Sequence, residues 1–123
     1  MSTTDSKFPF FITTPVRDLT DLERATVLRL LESAEPEYRE QVPRLRVVGR
    51  CGCGQCPTVF FEKNEPGTHE QDLCTYTGTD KEGGVVAAVL LQKHGQLSQL
   101  EYYSVDGHDP WYPPMAQDLR PYV

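Results

Sequence analysis

A chain of 123 residues carrying 18 acidic and 12 basic side chains has a formal charge of −6 and a sequence pI near 5.0. Its Phe, Tyr and Trp content argues against disorder, no apolar run approaches the ~20 residues of a membrane span, and Met1 to Thr14 lack the basic start and apolar stretch of a secretory signal. An acidic chain without a basic patch is also a poor match for nucleic acid, whose grip rests on phosphate neutralisation. A cytoplasmic protein, with neither membrane nor nucleic acid among its partners, is therefore expected.

The length suits a single domain over 1–123, divided into an N-terminal arm (1–15), a core (16–107) and a proline- and aromatic-rich tail packed on that core (108–123). In the arm, Phe8, Phe10, Phe11 and Ile12 form an apolar patch ending at Pro15. Such a patch either packs on the domain or meets a protein partner or a second copy of the chain. Thr20-Asp21-Leu22-Glu23 fits a capping box, in which hydroxyl and carboxylate reciprocally satisfy two backbone amides. A helix is expected over 21–34, where Val27, Leu30, Leu31 and Ala34 recur with helical spacing. Pro36 suits the first turn of a second, short helix, and Pro43 should stop it.

From Leu45 the pattern becomes that of strands. Leu45–Arg50 and Thr58–Glu62 are candidates, the second β-branched and aromatic, and Leu73–Thr77 is a weaker third. The strongest hairpin is Gly84–Val105. Val85–Leu91 is continuously apolar, as in a strand buried on both faces. His94-Gly95 serves as the turn, and the broken alternation between Leu97 and Leu100 points to a bulge near Ser98-Gln99. The tail carries Pro110, Pro113, Pro114 and Pro121, which rule out a central strand or a long helix. Helices followed by a meander imply an α+β fold: two N-terminal helices packed on an antiparallel meander of about four strands. Leu28, Leu31, Val47, Val59, Phe61, Val86, Val89, Leu91, Leu100 and Tyr102 are the expected core.

All four cysteines are Cys51, Cys53, Cys56 and Cys74, and three of them fall within six positions. Three chemistries compete. Thiolates are good zinc ligands, and a glycine-rich turn can aim several sulfurs inward, so Cys51, Cys53, Cys56 and Cys74 are the candidate metal ligands, with His69 or His94 able to replace one. The spacing C-x-C-x2-C-x17-C departs from paired C-x2-C motifs. Cys53-Gly54-Gln55-Cys56 is also a C-x-x-C pair suited to thiol redox chemistry, but Pro57 and a strand follow where a helix would activate the thiol. The plain alternative is that the thiols pack as small reduced side chains.

The stretch Arg46-Val47-Val48-Gly49-Arg50-Cys51-Gly52-Cys53-Gly54-Gln55-Cys56-Pro57-Thr58 resembles a V-x-G-R-C-x-C-G-x-C-P motif of small uncharacterised bacterial proteins. The resemblance spans roughly residues 20–110, with the cysteine motif its specific part. It implies a bacterial protein and carries no activity.

Asp106, His108 and Asp109 could bind a metal or run acid–base chemistry, although a polar turn leaving a strand explains them equally. His69 and His94 read as surface residues. Ser98 and Ser104 lack a nucleophile elbow, and there is neither a P-loop nor a dinucleotide fingerprint. No catalytic residue and no organic-cofactor site is expected. The leading expectation is a non-enzymatic binding or interaction module with a cysteine-rich structural turn. A zinc-binding or thiol-redox protein is the second, and an acidic immunity-type inhibitor of another protein the third.

Overall fold

A computed structural model describes residues 11–63 and 69–122. Phe8 and Phe10 of the arm lie outside the described residues. Among the described residues the chain is α+β, built on one seven-stranded sheet in the order β1-β2-β3-β6-β5-β4-β7, antiparallel at every pairing. The strands are β1 (Phe11–Asp18), β2 (Arg46–Cys51), β3 (Val59–Phe60), β4 (Gln71–Thr79), β5 (Val85–Lys93), β6 (Gln96–Ser104) and β7 (Arg120–Pro121).

The sheet is thus larger than the meander of about four strands expected from the sequence, and its first strand precedes the helices. Phe11–Asp18, expected in part to be an arm, pairs with β2 across a break in register between Thr13 and Arg17. Pro15 lies within that break, where a missing N–H costs the ladder nothing. The tail adds the other new edge. Arg120 and Pro121 pair with Thr77 and Tyr76, and Leu119 is buried in the core.

Helix α1 (Asp21–Leu30) begins with the expected capping box: Glu23 N–H donates to Thr20 Oγ1 at 3.1 Å and Thr20 N–H to Glu23 Oε1 at 2.8 Å. Arg17 at the end of β1 clamps the same Glu23 carboxylate through both guanidinium nitrogens at 2.9 Å, which fixes the strand-to-helix corner. The α-helix ends four residues before the expected 34. A 3-10 turn (Leu31–Ser33) follows, and α2 (Pro36–Arg39) is a single turn with no buried residue.

Thr26, Val27 and Leu30 of α1 are buried, and Val27 and Leu30 join Leu31 and Val42 in one core cluster with Val47, Val59, Phe61, Tyr76, Val86, Ala88, Leu90, Leu100 and Tyr102. Leu28 of the expected core is only partly buried. On β5, Val86, Ala88 and Leu90 lie in this cluster, while Ala87, Val89 and Leu91 are buried outside it. The continuous apolar run therefore is a strand covered on both faces. The hairpin turns through His94 (φ 54°) and Gly95 (φ 80°), the pair of positive φ values that a two-residue turn between twisted strands requires. Ser98 is the extra residue: Gln92 faces Leu97 and Leu91 faces Gln99. Gln41 holds the hairpin tip by donating to Gly95 O at 2.8 Å and accepting from Leu97 N–H at 2.9 Å.

Leu90 is fully buried in the central strand, whereas Val16 is 68% exposed on the edge. Leu90→Ala is expected to destabilise the fold by about 2–5 kcal/mol, and Val16→Thr to change stability by no more than about 0.5 kcal/mol. Urea unfolding followed by circular dichroism checks both.

Candidate functional site

Two clusters of chemistry-bearing side chains stand out. The first is the β2–β3 connection. Gly49 pairs with Phe60 and Arg50 with Val59, so residues 51–58 must leave and return between two adjacent strands. Gly49 permits this register, because a Cβ there would lie 2.3 Å from the Phe11 ring and 2.8 Å from the Ile12 carbonyl oxygen. Phe11 in turn stacks edge-on against Phe60, with ring centroids 5.0 Å apart. At the far end Thr58 Oγ1 accepts from Tyr102 N–H at 3.0 Å, which ties the loop exit to β6. Gly54 takes φ +74° at the loop apex, and its N–H donates to the Cys51 carbonyl at 3.3 Å.

This short closure brings the sulfurs of Cys51, Cys53 and Cys56 within 4.8 Å of one another. Cys53 and Cys56 Sγ are 3.3 Å apart. Backbone N–H groups point at the sulfurs as well: Cys53 N–H at Cys51 Sγ (3.5 Å), and Gln55 N–H (3.4 Å) and Cys56 N–H (3.3 Å) at Cys53 Sγ. Partial burial opposes ionisation of Cys53, but the Cys56 and Gln55 N–H groups, with the Cys56 and Cys51 thiols, outweigh it and bring the thiol down to about 7. Burial, together with the Cys53 and Cys56 thiols, pushes Cys51 up to about 11. The donors that a helix N-terminus would supply to a C-x-x-C pair thus come from the loop itself.

Cys74, the fourth expected ligand, is not in this group. It lies on β4 opposite Leu90, buried in the core cluster, where burial and the charge of Glu35 raise its thiol. Nor does either histidine join it among the described residues. His69 and His94 line a shared open cavity of about 360 Å³ with Gln71, Gln92 and Lys93, beside the β5–β6 turn. All four cysteines are free thiols.

The second cluster joins the expected Asp106 and His108 to Asp80, a residue remote from them in the sequence. Asp80 is buried at the β4–β5 turn. Its Oδ1 accepts from Glu82 N–H (2.9 Å) and Gly84 N–H (3.0 Å), and its Oδ2 from His108 Nε2 and Tyr112 N–H (both 2.9 Å). Its carboxyl lies far below the ordinary range, first through His108 and then through the three N–H donors. His108 Nδ1 meets Asp106 Oδ1, and the imidazole is raised above 6.5 by Asp80 and Asp106. Asp106 falls to about 2, chiefly through His108.

Ser104 Oγ also lies 3.1 Å from His108 Nδ1. Each ring nitrogen of His108 thus faces a carboxylate, and Ser104 Oγ shares the Nδ1 side with Asp106. Asp109 forms a cis peptide with Pro110 and stands outside the cluster. The sequence signal for Asp80 is Asp80-Lys81-Glu82-Gly83-Gly84, an aspartate whose side chain bonds the backbone two residues on.

No match to this chain is found among protein-family models, curated proteins or solved structures. No helix among the described residues is long and apolar enough to cross a membrane.

The Asp80–His108–Asp106 cluster gives stability a pH window. The lowered carboxyls contribute stability above their unfolded value of 3.8, and that contribution is lost as pH falls toward about 2. The raised imidazole contributes stability below 6.5, and this is lost as pH rises through its folded value. The melting temperature should therefore be highest between about pH 4 and 6.5. His108→Gln should flatten both limbs; equal pH slopes in the two proteins would contradict the assignment. Gly84→Ala should mimic the loss of His108, because its Cβ would lie 1.9 Å from the ring.

Proposed function

We propose that this chain is a non-enzymatic binding protein whose β2–β3 loop holds a thiophilic metal ion, with zinc the first candidate. The carrying observation is the donor set: three sulfurs within 4.8 Å of one another on one short loop. A tetrahedral centre with Zn–S bonds of about 2.3 Å needs sulfurs about 3.8 Å apart. The contact of 3.3 Å and the outer limit of 4.8 Å bracket that spacing.

The N–H groups aimed at Cys51 and Cys53 support the same reading. Such donors offset thiolate charge and orient ligands around a metal. Three protein sulfurs leave a fourth position to water or to a donor from outside the described residues. Softness favours zinc or a monovalent copper ion over magnesium or calcium. Holding the metal closes the loop, and the surface so fixed is what a partner would read.

Protein purified without a histidine tag and equilibrated with zinc is expected to hold one zinc per chain by native mass spectrometry. Cys53→Ser and Cys56→Ser should lose it, while Cys74→Ser should retain it. Affinity should fall as pH drops through about 7, where protons compete for Cys53. Absence of bound zinc, or equal retention by all single-cysteine variants, would overturn the reading.

A further inference from the structure

The loop sets two of its sulfurs against each other, as close as any N–H group comes to a sulfur there. Cys53 and Cys56 Sγ lie 3.3 Å apart, and a disulfide needs about 2.0 Å. The remaining ~1.3 Å falls to a loop whose apex, Gly54-Gln55, is exposed and whose Gly54 already takes positive φ. The alternative pair, Cys51 and Cys53, is separated by a single residue and closes a more strained ring. Cys74 is buried in the core cluster and offers no access. Cys53 and Cys56 are each partly exposed, so an external sulfur compound can reach them.

We infer that Cys53 and Cys56 form a dithiol that exchanges with low-molecular-weight disulfides, with Cys51 left as a free thiol. The Cys53 sulfur, as thiolate, attacks one sulfur of the small disulfide RSSR. A Cys53–S–S–R bond forms, and the other half leaves as thiolate. The Cys56 sulfur, its proton given to solvent, then attacks Cys53 Sγ. The Cys53–Cys56 bond forms and the second thiolate leaves. The protein dithiol loses two electrons, RSSR gains them, and the two protons end on two RSH molecules. Gln55 and Cys56 N–H groups point at Cys53 Sγ in the free dithiol, which suits that sulfur to the bridging position in the mixed disulfide.

The exchange stands on the sulfur geometry. Only its consequence for metal rests on the metal-centre reading: the new bond consumes two of three ligands, so oxidation and metal retention exclude one another.

The test uses the full chain, reduced and freed of metal with a chelator, and oxidised glutathione as the probe. Thiols counted under denaturing conditions should fall from four to two, and peptide mapping should place the bond at Cys53–Cys56. Cys56→Ser should stop at a stable glutathione adduct on Cys53. Four persistent thiols, or a bond mapped to Cys51 or Cys74, would overturn the inference. A parallel arm loads zinc first and should slow oxidation about tenfold or more. A chain that exchanges yet binds no zinc removes the metal reading alone. A chain that binds zinc yet never forms the bond removes the exchange alone.

Discussion

The antiparallel clamp between β2 and β3 is the constraint on which the site depends. Paired residues of neighbouring strands sit about 5 Å apart, and the pairing of Arg50 with Val59 forces residues 51–58 to close over that gap. Three cysteines in six positions of so short a loop have little choice but to bring their sulfurs together. The clamp is itself held by packing: Gly49 leaves room for the Phe11 ring, Phe11 abuts Phe60, and Thr58 is tied to Tyr102. Removal of the β1 contact would loosen the strand that delivers Cys51. The cysteine geometry is thus a consequence of sheet register, with hydrophobic contacts between β1 and β3 supporting a polar loop at their end.

A second anchor works on the other half of the sheet. Asp80 accepts hydrogen bonds from the β4–β5 turn, from His108 and from Tyr112, so a single carboxylate joins a hairpin to the segment that follows β6. Arg29 of α1 donates to the Leu119 carbonyl through two nitrogens, and Tyr122 N–H reaches Thr75 O. Together these contacts convert a proline-rich tail, which cannot supply a regular ladder of its own, into an edge strand of two residues. His108, which the sequence offers as a metal or acid–base candidate, is held in the fold by two carboxylates, one on each ring nitrogen, and these favour its charged form.

Much of this was legible in the sequence where local chemistry decides the outcome. The Thr20–Glu23 box starts the first helix, Pro36 opens the second, His94-Gly95 makes the turn, and the slipped alternation marks Ser98 as a bulge. The misses share a cause. Phe11–Asp18 and Arg120–Pro121 are strands only because an existing sheet offers an edge, and both contain proline, which argues against a strand when neighbours are unknown. Asp80 and His108 are 28 residues apart, a separation at which no periodicity speaks. Cys74 carries the right atom in the wrong place: its position four residues before Gly78 on β4 says nothing of the 51–56 loop, and only the strand order puts it in the core instead.

The central claim is that the three loop sulfurs converge on one metal ion. X-ray absorption at the zinc edge of the full chain, loaded with one equivalent of zinc, tests it most directly. The account predicts a shell of three sulfur scatterers at about 2.3 Å, with a lighter atom completing the set. A shell of nitrogen and oxygen alone would contradict it.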